Sequence, residues 1–446
     1  MEDRYFYKTY FRLFAVVALQ NFLVFGVNLA DSVMLGRYGE TAMSGVSLAN
    51  QIQFFVQCFV NGAASGLVVL GAQYWGKKDV ASIKKVFSAA FAVGLLIAAS
   101  IGGAVLAFPA GVLGLLSTEP AIVAAGAGYI RIMGYSYVLF AVSFLLVSLL
   151  RSVETVRVGF YACFLALVVN VTLNYVLIFG KLGFPAMGEI GAAWATLASR
   201  MAELLFVLFY VFFIDKKVRL RPRDVFTYEG VYFKDFLKAG LPLVGSGGSW
   251  GIAMTVQTAV IGRLGAAAIG ANAVASPVFQ VVAVLYTASS SAASVLIGKT
   301  VGENDIPRVR RYTKKLQLIF LVTGAISSAV LFFTRDLIVG LYDLSPDTRA
   351  MSVVFINILA FTVFGSAYEA PCLVGIVSGG GDTGFVFRND LIFMWGIVLP
   401  MSFLSAFVFH WPVPVTFAIL KADQVLKCFV AVVKVNRYRW IRNLTR

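Results

Sequence analysis

Apolar residues run along this chain in twelve long blocks separated by short polar breaks. The blocks fall near 11–36, 42–75, 87–116, 121–150, 156–180, 190–214, 239–262, 266–298, 316–334, 350–378, 391–410 and 414–433. A helix of about 20 apolar residues crosses a bilayer, so the pattern predicts an all-α membrane protein with twelve transmembrane helices. The second and eighth blocks are long enough to tilt or bend. Arg4, Lys8 and Arg12 precede the first block with no small-residue cleavage site after it, so it reads as a retained helix rather than a signal peptide.

Composition strengthens this reading. Of the 446 residues, 59% are apolar and 13% charged, against about 45–50% and 25% in ordinary soluble domains. That excludes a soluble enzyme, a disordered chain and a secreted disulfide scaffold. Lys and Arg number 37 against 22 acids. With the N-terminus placed inside, 28 of the 37 fall on inner segments and five on outer loops (Arg37, Lys181, Arg263, Arg335, Arg349). This positive-inside asymmetry predicts that both termini are cytoplasmic. It also accounts for the basic excess without nucleic acid. Cys58, Cys163, Cys372 and Cys428 all lie in apolar runs with no metal-ligand spacing and read as small core residues.

The chain repeats itself. Gly36-Arg37-Tyr38-Gly39 recurs as Gly262-Arg263-Leu264-Gly265, an offset of 226 at which Gly76 also meets Gly302 and Asp79 meets Asp305. The expected organisation is a six-helix lobe over 1–214, a cytoplasmic linker over 215–238 and a second six-helix lobe over 239–446. Six spans per half is an even number, so the repeats enter the membrane the same way round, as parallel repeats about a central cleft. Such an arrangement suits alternating access; a duplicated scaffold would share it, and buried polar groups separate the two.

A charge inside a span costs about 3 kcal/mol or more and needs a partner or a task. In the first span Gln20, Asn21, Asn28 and Asp31 fall within an arc of about 100°, a stripe that turns away from lipid. Asp31 lies about 7 Å below the outer helix end at Gly36. In the fifth span Asn170 and Asn174 share one face, and Asn174 sits near the depth of Asp31. The three form a candidate coupling-ion site, because desolvation there favours a carboxyl that protonates reversibly. The alternative is a structural ion pair of Asp31 with Arg200. Tyr368 and Glu369, with Gln20 and Asn28, form a possible substrate or second coupling site; Glu369 could instead pair with Lys427. Arg200 with Glu203, and Asp423 with Lys427, are spaced to neutralise each other.

Other motifs carry nothing. Gly298-Lys299-Thr300 lacks the first glycine of a P-loop, since Ala293 stands there. Gly245, Gly247 and Gly248 follow Pro242 inside a span and fit close packing or a bend. Asn170-Val171-Thr172 is a glycosylation triplet inside a span, and His410 is alone. No nucleophile–base pair is visible, so an enzyme is not expected.

Several segments carry a family likeness: Ala30-Asp31-Ser32-Val33-Met34-Leu35-Gly36, Ala72-Gln73-Tyr74-Trp75-Gly76, Asn170 to Gly180, Gly188-Glu189-Ile190-Gly191, Gly379-Gly380-Gly381-Asp382-Thr383 and Trp440 to Thr445. In these the chain resembles the multidrug and toxic compound extrusion (MATE) transporters of the bacterial branch. The resemblance implies export of amphipathic, often cationic, small molecules in exchange for H⁺ or Na⁺, with no other cofactor. It places the protein in the bacterial cytoplasmic membrane, as a monomer in the lipid bilayer, and matches Asp31, Asn170 and Asn174 to the family's N-lobe ion site. Two departures stand out. Val16 occupies the place of a first-helix proline, and Asn174 replaces a second acid. No acid stands near Trp250, where the sodium-coupled branch has one. Flipping of a lipid-linked or polyprenyl substrate is the alternative, kept open by Arg200, Lys421 and Lys427.

Overall fold

The computed structural model describes residues 2–117 and 119–446. Among the described residues there is no β-strand. The long helices are α1 (Glu2–Tyr38), α2 (Glu40–Gly76), α3 (Val80–Ala107), α4 (Pro120–Ser152), α5 (Arg157–Phe179) and α6 (Gly188–Ile214) in the first half. The second half holds α7 (Gly230–Gly262), α8 (Ala266–Gly302), α9 (Ile306–Gly340), α10 (Pro346–Val377) and α11 (Thr383–Val408), then α12 (Val413–Leu420) and α13 (Asp423–Asn436). Ten of these are long and apolar enough to cross a membrane. α7 is diluted by the glycines and serines between Gly245 and Gly251. The expected twelfth span is interrupted at Lys421-Ala422, so α12 and α13 share it.

Turn chemistry follows the repeat. Asp79 caps α3 by accepting the Ser82 N–H at 3.0 Å, and Asp305 caps α9 by accepting that of Arg308 at 3.0 Å. The residues before them, Lys78 and Asn304, both take left-handed backbone, at φ 62° and 59°. The offset is again 226. α5 ends at Gly180, whose φ of 65° is costly for any residue with a Cβ. In α10 the helix widens into π-type turns from Pro371, which lacks the N–H that would continue the α pattern.

The compact units do not divide at the linker. One comprises Leu19–Val244, the other Met1–Ala18 with Gly245–Arg446. Both cuts fall inside a helix, and Ala18 and Val244 are themselves 226 apart. The partners of the helix starts explain the division. In the first unit, Lys84 and Lys85 on α3 bind Asp224 and Glu229, both at 2.8 Å, and Ser82 meets the Tyr232 hydroxyl at 2.9 Å. Gly62 lies so close to the opening of α7 that an added Cβ would stand 2.5 Å from the Leu243 carbonyl oxygen. Part of the 215–238 linker is thereby docked on α3. In the other unit, the Phe6 ring packs on Tyr312 at 4.7 Å, Asp3 is ion-paired with Lys315, and Val17 and Ala18 pack with Val284 and Ala288. Each unit has its own apolar core. Leu35, Val56, Tyr129, Tyr137 and Ile178 belong to the first, and Phe355 stacked on Phe417 at 3.8 Å belongs to the other.

Candidate functional site

In the Leu19–Val244 unit, α1, α5 and α6 bring a carboxylate, two amides and a hydroxyl together. Asp31 is buried, and the Asn174 side-chain amide donates to its Oδ1. The same amide donates to Asn170 Oδ1 at 3.0 Å, and Asn170 in turn donates to Thr196 Oγ1 at 3.3 Å. Asn170 and Asn174 are one helical turn apart on α5, which is why the two amides meet each other. Tyr129, buried on α4, interacts with Thr196 beside the cluster. Asn174 Oδ1 is buried without a donor. An acceptor left bare beside a carboxylate fits a proton on Asp31 or a small cation, either of which would satisfy it.

The ion pair considered between Asp31 and Arg200 is not the one formed. Arg200 Nη1 binds Glu203 Oε2 at 2.8 Å across i,i+3, and its guanidinium lies over the Phe140 ring at 5.3 Å. Of the remaining polar positions on α1, Gln20 is buried against Gly159, whereas Asn28 is exposed and its carbonyl accepts from Ser32. The stripe therefore does not act as one surface. Thr196 and Tyr129 escaped the sequence reading. Thr196 stands one turn before Arg200 on α6, a spacing that was available as a signal.

The other unit holds a second polar cluster, built differently from the expected Glu369–Lys427 pair. Lys427 Nζ binds Asp390 at 2.9 Å and Asp423 at 3.5 Å, and Ser246 donates to the other Asp390 oxygen. Glu369 lies within electrostatic range of Lys427 but makes no ion pair with it among the described residues. Tyr368 donates to Gln317 Oε1 at 2.7 Å and is thereby tied to α9. Lys421 is buried, donates to Gln257 Oε1 at 3.3 Å and lies over the Phe279 ring at 4.9 Å. Gly245 permits this assembly, since the Phe387 ring would stand 2.8 Å from a Cβ there.

A multi-pass helical membrane protein of two related halves, with one lightly solvated carboxyl held by amides inside a span, is a transporter by architecture and site. The chain belongs to the MatE family, whose profile matches residues 17–176 and 250–404. It is 24% identical over 378 residues to the uncharacterized transporter YisQ of Bacillus subtilis (strain 168), covering 84% of this chain and 82% of that one. It is 23% identical over 398 residues to the probable multidrug resistance protein NorM of Streptococcus pneumoniae (strain ATCC BAA-255 / R6), covering 89% and 87%. Its fold matches a solved MOP superfamily transporter from Pyrococcus furiosus with a TM-score of 0.88 at 17% identity, covering 98% and 97% of the two chains.

Proposed function

We propose that this protein is a secondary antiporter that expels amphipathic organic cations by alternating access, with H⁺ as the coupling ion. The observation that carries this reading is the buried Asp31–Asn174–Asn170–Thr196 chain with its bare acceptor. Ionised Asp31 attracts a cationic solute; protonation removes that attraction and releases it. Na⁺ is the other cation the oxygen donors could accept. Relatives named as multidrug resistance proteins support the solute class, and the distribution of Lys and Arg supports cytoplasmic termini. In proteoliposomes, an imposed pH gradient should drive uptake of a fluorescent lipophilic cation, and a Na⁺ gradient alone should not. Uptake driven only by Na⁺ would replace H⁺ in this scheme.

Lys421 favours a second reading, transport of an anionic, lipid-linked solute. It is buried beside Gln257 and aromatic rings with no carboxylate in ion-pair contact among the described residues. The Pyrococcus furiosus transporter is described as having a binding pocket of reverse polarity that suggests a different function. Competition of cation uptake by an isoprenoid pyrophosphate, lost in Lys421→Met, would favour this alternative.

A further inference from the structure

The segment between α6 and α7 forms an open, cationic pocket. Its shape is fixed by its own acids. Asp215 accepts the N–H groups of Val218 at 2.8 Å and Arg219 at 3.1 Å, and Arg219 is held at φ 51°. Asp224 accepts the Arg221 N–H at 2.9 Å and the Lys84 ammonium at 2.8 Å. Lys217 donates to the Val153 carbonyl at 2.6 Å and lies over the Trp75 ring at 5.5 Å. These ties leave a cavity of about 410 Å³ lined by Lys84, Lys216, Lys217, Arg219, Arg221 and Asp224, a size that accepts a small ligand.

Lys84, Lys216, Arg219 and Arg221 thus face Asp224, which Lys84 already holds. Lys216, Arg219 and Arg221 form no ion pair among the described residues. Cations gathered around a cavity repel one another unless an anion lies among them. The end of the other half shows the contrast. There Asp382 is buried and binds both Lys434 at 2.7 Å and Arg442 at 3.3 Å, so the basic tail is neutralised from within. In the 215–224 cavity Asp224 is taken up by Lys84 and Asp215 by backbone N–H groups, and neither is ion-paired with Lys216, Arg219 or Arg221 among the described residues. Its neighbours along the chain are apolar and bare: Phe213 is 78% exposed and Phe226 67%. A charged headgroup with attached acyl chains would cover both features at once.

We propose that this cavity binds a phosphate-bearing anion at the membrane surface, the headgroup of an acidic phospholipid. The proposal is independent of the transported solute and of the coupling ion. The test titrates the purified full chain in neutral detergent with short-chain phosphatidylglycerol, phosphatidylcholine and inorganic phosphate, counting bound molecules by native mass spectrometry. Phosphatidylglycerol should bind and phosphatidylcholine should not. Combining Lys216→Gln, Arg219→Gln and Arg221→Gln should weaken phosphatidylglycerol about a hundredfold, at roughly fivefold per charge. A charge-keeping variant, Arg219→Lys with Arg221→Lys, should stay close to the parent, which separates lost binding from lost folding. Combined Arg437→Gln, Arg439→Gln and Arg446→Gln removes the same charge elsewhere and should leave binding intact. Equal loss in that control, or no loss in the cavity variant, would overturn the site. Inorganic phosphate binding as tightly as phosphatidylglycerol, with the same sensitivity, would overturn the lipid as its occupant.

Discussion

Replacing Asp31 by Asn removes the only carboxyl among the described residues of its polar cluster, and the structure bounds what that should cost. Glu203, another acid of this region, is already paired with Arg200 at 2.8 Å, and the group that meets Asp31 is the amide of Asn174. One proton per cycle is therefore the most this cluster can carry. Exchange of one proton for one monovalent cation moves no net charge, so the pH gradient alone drives it. A gradient of one pH unit is worth about 1.4 kcal/mol, a limit of tenfold accumulation. In proteoliposomes clamped at zero potential by K⁺ and valinomycin, a cationic dye should approach but not exceed about tenfold enrichment per pH unit. Asp31→Asn should bring the ratio to one while leaving downhill dye exchange and the thermal unfolding midpoint near those of the parent. The amide keeps the shape of the protonated acid and still accepts from Asn174. Enrichment near a hundredfold per pH unit would require two protons and refute the single-carboxyl argument. So would full coupling in Asp31→Asn.

Three further outcomes test the packing and the caps. Gly62→Val places a side chain where even a Cβ would be 2.5 Å from the Leu243 carbonyl oxygen; overpacking of this kind costs about 1–3 kcal/mol, read as a lower unfolding midpoint in detergent. Lys427→Met leaves Asp390 and Asp423 without their shared cation and should destabilise by about 3 kcal/mol; adding Asp390→Asn should recover part of that loss, and an additive double variant would contradict the pairing. Asp79→Ala removes the cap of α3 at a cost of about 1 kcal/mol. Burial raises the Asp79 carboxyl, but its Ser82 hydrogen bonds and the charges of Lys77 and Lys85 outweigh this and hold it below its ordinary value. The cap's contribution is accordingly present above about pH 4 and lost as pH falls through the lowered value, so parent and variant should converge in stability under acid.

What could be read from the chain was local or set by depth. Asp31 lies seven residues before Tyr38, the last of α1, and Asn174 five before Phe179, the last of α5, and their side chains meet. Arg200 with Glu203, and Lys427 with Asp423, are neighbours by helical spacing and are in contact. What escaped depends on distant partners. Asp390 reaches Lys427 across 37 residues from near the start of α11, a pairing that no local spacing marks. Helical spacing placed Asn28 on the face of Asp31, yet packing leaves it exposed, because periodicity gives a direction without saying what stands there. The apolar block near 414–433 gave no warning of the break at Lys421-Ala422, since a buried lysine held by Gln257 and aromatic rings has no local signature.

The grouping of the opening turns of α1 with residues beyond 244 has a consequence for synthesis. Asp3 leaves the ribosome long before Lys315, its ion-pair partner, which follows 312 positions later. Tyr312, on which Phe6 packs, emerges at the same late stage. Until then Phe6, Tyr10 and Leu13, each almost wholly covered in the finished protein, lack the surface that covers them. Insertion of the first six helices therefore cannot complete the fold, and a nascent chain halted at the linker would present the uncovered aromatic, basic opening turns of α1 to proteases that survey unfinished membrane proteins.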